Sequence, residues 1–347
     1  MSEQLPRYDR HETYRWNYEH APKAIDQLVA PMPGDWRFCG RSVESPLGVA
    51  AGPLLNGKWC LYYAGLGFDV LTYKTVRSGQ RDCYPLPNLQ PVNCGDLTGH
   101  EARLSPSPDM GGSWAVSFGM PSAAPETWRR DIEWTRHHLA AEKVLAVSVV
   151  GTMQDGWTIE QLADDYAQCA AWAVESGADC IETNFSCPNV TTCDGQLYLD
   201  ANASNQVART VKAAIGPVPL IIKIGHLDSV DQTAMLLDAV SEEATALAMT
   251  NSIATTIGHS DDSLLFDRQQ RGICGRGIRD SSIAQVERFS QQIDRRQSSL
   301  EIIGVGGVER ASDLQRYLSA GASACHSATA VMTDPSVALR IRAELSA

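Results

Sequence analysis

The chain has 347 residues, 44% hydrophobic and 20% charged, which is the composition of a globular fold large enough for one big α/β domain or two ordinary ones. A formal charge of -12 leaves no excess of Lys or Arg to neutralise phosphates, so nucleic-acid binding is excluded. No apolar run approaches a membrane span, and the opening MSEQLPRYDRHETYRW lacks the apolar core of a signal peptide, so a cytoplasmic protein is expected.

In chain order, short apolar runs predict strands at 46–52 (PLGVAAG), 69–76 (DVLTYKTV), 144–151 (VLAVSVVG) and 179–185 (DCIETNF). Four more follow at 218–225 (VPLIIKIG), 246–252 (ALAMTNS), 300–307 (LEIIGVGG) and 322–329 (ASACHSAT). Helical patterns lie between them. TIEQLADDYAQCAAWAVESG puts Ile159, Leu162, Tyr166 and Ala173 on one face and stops at Gly177. DQTAMLLDAV, IAQVERFSQQI, ASDLQRYLSAG and DPSVALRIRAEL behave alike, with Ser312 and Asp334 as expected N-caps and Pro335 at a first helical position. Eight strands alternating with helices or long loops predict a (β/α)8 TIM barrel over residues 43–347, after a helical lead-in at 1–42. The rival doubly wound sheet lacks its glycine fingerprint, since VAAGPLLNGKW is not G-x-G-x-x-G. Residues 77–125 are weakly patterned and rich in Pro, Gly and Asn, and read as a long lid-like insertion.

In such a barrel the chemistry collects where strands end at the C-terminal face. Those ends carry Ala50-Ala51-Gly52, Lys74-Thr75, Ser148, Asn184, Lys223, Asn251-Ser252, Gly306-Gly307 and Ala328-Thr329. Lys74 and Lys223 each close an apolar strand. Either one alone reads equally well as a lysine reaching water at the rim. Together they favour a site for something anionic or electron-rich. GVGGVE before a helix offers backbone N–H groups to a phosphate, and the SATAV run can add a second set. The stretch ETNFSCPNV (182–190) sets Asn184, Cys187 and Asn189 at the end of a strand. The Cys187 thiol there could be core filler, a metal ligand, half of a disulfide or a reactive base. Ten cysteines occur without a C-x-x-C pair, which weakens metal and iron–sulfur readings; no metal is expected.

Taken together, PLGVAAGPLLNG, YKTV, SFGMP, ETNFSCPNV, IIKIG, TNSI, GICGRGI and GVGGV resemble, in order and spacing, the dihydroorotate dehydrogenase family of FMN flavoproteins. That family includes the pyrimidine-reducing module of dihydropyrimidine dehydrogenase, and the resemblance runs from about Val43 to the C-terminus. It implies a (β/α)8 barrel with FMN at its C-terminal mouth and oxidation of dihydroorotate to orotate. Cys187 falls on the family's base, and Lys74 on a residue touching cofactor and substrate. The resemblance places Ala50, Ala51, Gly52, Lys74, Thr75, Ser148, Asn184, Lys223, Thr250 and Ser252 against the flavin. It places Gly275, Gly306, Gly307, Ala328 and Thr329 at its phosphate. Substrate contacts fall on Lys74, Phe118, Gly119, Met120, Asn184, Asn189, Asn251 and Ser252.

These residue types suit the chemistry. Oxidising a dihydropyrimidine removes a hydride from one ring carbon and a proton from its neighbour. A thiolate can take the proton, and asparagines match the N–H and C=O edges of a cyclic imide. Two departures bear on the substrate. The family's N-S-M-G-L-P-N reads Val116-Ser117-Phe118-Gly119-Met120-Pro121-Ser122 here, and the loop Ser78–Gly112 is longer than the family path. An alternative is therefore the same chemistry on another dihydropyrimidine or cyclic amide. A remote one is a barrel aldolase or isomerase with Lys223 as Schiff base. The expected partner is a small-molecule dihydropyrimidine, with a homodimer and an electron-transfer subunit left open. Fumarate, quinone and NAD all remain as electron acceptors.

Overall fold

A computed structural model describes residues 5–186 and 193–346, with backbone alone at 193–195 and Arg268. The alternation inferred from periodicity is present. Strands and helices follow one another as β1 (Leu47–Val49), α1 (Gly57–Gly65), β2 (Val70–Val76), α2 (Pro125–His138), β3 (Val144–Val149), α3 (Ile159–Glu175), β4 (Cys180–Asn184) and α4 (Ala201–Ile215). The second half continues as β5 (Leu220–Lys223), α5 (Val230–Val240), β6 (Ala246–Met249), α6 (Arg279–Arg295), β7 (Glu301–Val305), α7 (Ala311–Ser319), β8 (Ala324–Ser327) and α8 (Val337–Ser346). The eight strands form a closed parallel barrel. Each is short and buried on both faces, which is why it reads as a continuous apolar run.

The helix α3 shows how the outer ring forms. Gln161 accepts the Thr158 N–H to close its first turn, and Leu162, Tyr166, Ala170 and Ala173 are buried on one face. Two caps differ from expectation: α8 begins at Val337, after Pro335, and Asp334 accepts the Ser336 N–H ahead of it. Ser312 lies inside α7, and Asp313 holds the start of that helix by accepting the Glu309 and Arg310 N–H groups. A carboxylate in the first turn serves the free N–H groups better than a hydroxyl because it also meets the positive end of the helix dipole.

The barrel bore sorts into levels. Its strands are tilted, so inward side chains at one height come from alternate strands. Following the ladder pairs, Gly48, Ala146, Ile221 and Ile303 form one level. Thr72, Glu182, Ala248 and His326 form the next, and Ala50, Ser148, Lys223 and Val305 the one above. Lys74, Asn184, Thr250 and Ala328 then open onto the C-terminal mouth. The other end is closed by the hairpin Trp36–Phe38 and Arg41–Val43, whose Phe38, Cys39 and Val43 pack against Val70, Val144 and Cys180.

The region 77–125 departs from its reading as a loop. It holds strands Leu89–Asn93, Arg103–Pro106 and Ser113–Val116, which close into a second small sheet with Ile253–Ile257 and Arg271–Gly275. The strands are short, and Ser113–Val116 finds its partner more than 150 residues away in Arg271–Gly275. Nothing local in the sequence announces such a pairing. This sheet has its own apolar cluster around Leu97, Ala115, Ile257 and Ile273, and it roofs the barrel mouth.

Candidate active site

A cavity of about 1080 Å³, open mouth included, lies between the C-terminal ends of the strands and the roof. The predicted residues Ala50, Ala51, Gly52, Lys74, Thr75 and Asn184 line it. So do Lys223, Thr250, Asn251, Ser252, Gly275 and the Gly306-Gly307 and Ala328-Thr329 pairs. From the lid segment come Val116, Phe118, Gly119 and Met120. Ser148 differs. It shares its level with Ala50, Lys223 and Val305 but is fully buried, with its hydroxyl 3.0 Å from that of Thr75, so it supports Thr75 from behind. Cys187 and Asn189 lie outside the described residues.

Two side chains fix the approach to Cys187. Asn184 accepts the Ser186 N–H at 3.1 Å, and Asn251 donates to the Ser186 carbonyl at 2.7 Å. The residue immediately before Cys187 is thus held from both sides. Lys74 donates to the Gly52 carbonyl at 3.1 Å and lies 4.2 Å from the centroid of the Phe118 ring. Phe118 is backed edge-on by Tyr8 and Tyr14 of the N-terminal segment. Buried Arg77 donates to the carbonyls of Met120 and Gly151 and so braces the turn at Gly119-Met120. Both turn residues have positive φ, and at Gly119 a Cβ would meet the Tyr84 ring at 2.6 Å.

The residues present fit a flavin mononucleotide. Thr250 and Ser252 carry buried hydroxyl oxygens with no protein partner, at the cavity wall. An orphaned buried hydroxyl is costly unless a ligand or water completes it. Gly275 and Gly307 have φ of +94 and +65, and a Cβ on Gly275 would stand 2.0 Å from the Gly112 carbonyl, so backbone lies bare beside the cavity. Lys223 is 5% exposed, with no carboxylate of the described residues within ion-pair distance. It is a buried cation facing the space an electron-accepting ring would fill.

Sequence reasoning missed part of the roof. Leu89, Trp114, Cys274 and Ile278 also line the cavity. Cys274 was within the GICGRGI motif, but only the pairing of Arg271–Gly275 with Ser113–Val116 shows that it faces inward.

The family model described as dihydroorotate dehydrogenase matches residues 117–347. The chain belongs to the dihydroorotate dehydrogenase family. It is 30% identical to the dihydroorotate dehydrogenase of Dictyostelium discoideum over 362 aligned positions, covering 96% of each chain. It is 28% identical to the fumarate-type dihydroorotate dehydrogenase A of Limosilactobacillus reuteri, covering 88% of this chain and 90% of that one. Among solved structures, the dihydroorotate dehydrogenase of Eimeria tenella in complex with ferulenol superposes with a TM-score of 0.73 at 19% identity. That match covers 95% of this chain and 88% of the other, and shows the shared fold. The family is flavin-dependent and its members are oxidoreductases. No helix among the described residues is long and apolar enough to cross a membrane.

Proposed function

We propose that this enzyme is an FMN-dependent dihydroorotate dehydrogenase that oxidises dihydroorotate to orotate, with Cys187 as the base. The observation that carries the reading is the convergence of Lys74, Asn184, Lys223, Asn251 and Ser252 on one cavity beneath the roof sheet. Bound FMN would supply the acceptor for the hydride. Glycines 275, 306 and 307, with Ala328 and Thr329, would hold its phosphate through backbone N–H groups. Ala50, Ala51, Gly52, Thr75, Thr250 and Ser252 would line its ring, and Lys223 would favour negative charge there. Ser148 acts through Thr75.

Asn184 and Asn251, with Asn189, offer donors and acceptors to the cyclic amide edge of the substrate. Lys74 and the Phe118–Met120 backbone would bind its carboxylate. Cys187 takes the proton from the ring carbon on the face away from the flavin, and its thiolate must be accessible at working pH to do so. Membership of a flavin-dependent family leaves a Schiff base at Lys223 without support. Eight described cysteines are free thiols, which supports a reducing, cytoplasmic setting.

Val116 favours a second reading, a dihydropyrimidine without a carboxylate, because it lines the cavity where the family motif has asparagine. Anaerobic mixing separates these readings. Dihydroorotate should bleach the flavin absorption within one turnover, and mass spectrometry of the released cofactor should give FMN. Bleaching by dihydrouracil alone selects the second reading. FAD, or a protein colourless after FMN addition, sinks both.

A further inference from the structure

The level of the bore directly below the cofactor cavity is unusual. Barrel interiors are filled mostly by branched aliphatic side chains, yet this level is Thr72, Glu182, Ala248 and His326. Thr72 is 0%, Glu182 1% and His326 1% exposed. Among the described residues, Thr72 Oγ1, Glu182 Oε1 and both ring nitrogens of His326 have no hydrogen-bond partner. Four orphaned polar atoms at one height are far more than a dry core tolerates, since each costs about 1–3 kcal/mol if left unmet.

The neighbours of this level are small residues. Ala248 shares the level, Gly48 and Ala146 lie below, and Ala50 lies above. Gly48 is required, because a Cβ there would lie 2.3 Å from the His326 ring. A buried water needs a polar niche with several partners, which these atoms offer.

The level also stands under Lys223. Glu182 pairs in the ladder with Ile221, and Lys223 is the next inward residue along β5. The Lys223 charge reaches the level, since after burial it is the second cause holding the His326 imidazole down, to about 3. Facing His326 are Phe38 from the barrel floor and the backbone of Gly48. Glu182 is the carboxyl of the level, one step from a buried lysine that has no direct ion pair among the described residues.

We infer that the Thr72–Glu182–His326 level is a water-holding site in the barrel core, and that Glu182, through that water, is the counter-charge of Lys223 and so sets the charge beneath the flavin. Glu182 and His326 are positioning residues and touch neither substrate nor cofactor. The inference rests on the FMN reading, and the tests keep the two apart.

Two measurements decide it. A high-resolution crystal structure of the FMN-loaded wild type should show at least one ordered water within hydrogen-bond distance of both Glu182 and His326; a dry level overturns the inference while leaving the FMN reading intact. A dye-referenced reductive titration should show that Glu182→Gln, which keeps the shape and removes the charge, favours reduced over oxidised flavin by about tenfold, equivalent to about 30 mV for a two-electron couple. An unchanged potential makes Glu182 core filler and overturns the inference. A wild type that holds no flavin fails the functional reading first, and the inference with it. The wild-type water structure does not depend on the variant folding.

Discussion

The bore and the roof of this barrel are built in opposite ways. The bore is local: each strand is a short apolar run, and cavity residues such as Lys74, Asn184 and Lys223 lie at or near the strand ends. The roof is non-local: strands of four or five residues are drawn from positions near 90, 105, 115, 255 and 273 and closed into a sheet. The bore carries the groups that any flavin-dependent oxidation of this kind needs. The roof supplies the walls that the substrate's own substituents meet. On the proposed reading the chemistry lives in the bore, and the choice of substrate is open to change in the roof.

The largest expected effect tests the bore's side of this division. Cys187→Ala should leave FMN bound and slow flavin reduction by dihydroorotate about 10²- to 10⁴-fold, the usual worth of a positioned base. Cys187→Ser should be intermediate. Stopped-flow reduction at the wild-type rate by the alanine variant would show that the end of β4 carries no chemistry, and the comparison would break.

The joint between the two regions comes next. Gly275→Ala places a methyl group 2.0 Å from the Gly112 carbonyl, a backbone atom that also accepts the Arg276 N–H at 2.6 Å and cannot swing aside. Its φ of +94 adds strain for any L side chain. The substitution should cost about 2–4 kcal/mol, from strain and overpacking together, and should weaken FMN binding as the roof lifts. Gly79→Ala, with nothing within 4 Å, is the control and should be neutral. Equal melting temperatures and equal FMN affinities in the two variants would mean that roof and bore are not mechanically joined here.

A smaller effect comes from inside the bore. Burial holds the His326 imidazole at about 3, against an ordinary value of 6.5. Between those two values the unfolded chain binds a proton that the folded chain does not. Stability therefore falls as pH drops below about 6.5, and this contribution stops growing near 3. From pH 7 to pH 5 the loss from this one group is about 2 kcal/mol. Urea midpoints at the two pH values should show it in the wild type and a flatter profile in His326→Gln. A wild-type profile as flat as the variant's would mean that His326 is charged in the folded bore.

How much of this was legible follows the same division. The eight strands and their terminal residues could be read because strand and site residue are contiguous, as in YKT at 73–75 or IIKIG at 221–225. Ser148 meets the cavity residues through the hydroxyl of Thr75, a contact between neighbouring strands that depends on their register and that neither strand shows alone. His326 and Glu182 were in plain view inside apolar strands, yet nothing in either strand alone says that they meet at one height. The roof stayed a loop on paper because Pro and Gly mask its short strands. Cys274 could not be placed before its partner strand was known.

The smallest effect concerns the roof and tests the division most directly. Val116 pairs with Leu89 and Gly272 and is part of the cavity wall. A valine there offers no hydrogen bond to a carboxylate, and an apolar wall disfavours a buried charge. If Lys74 and the Phe118–Met120 backbone carry the carboxylate alone, Val116→Asn should add one charge-assisted hydrogen bond and tighten orotate by about tenfold, or about 1.4 kcal/mol. Reduction of the flavin by dihydroorotate should change less than binding does, because the hydride and proton are handled in the bore. Titrating orotate and uracil against the flavin spectrum of both proteins measures this. Tighter orotate in the variant at an unchanged reduction rate is the expected result. A wild type that prefers uracil would instead show that the roof has already changed the substrate while the bore kept its chemistry. Orotate affinity that is strong in the wild type and unmoved by Val116→Asn would place the carboxylate away from this wall, and the roof would lose its claim to specificity at that position.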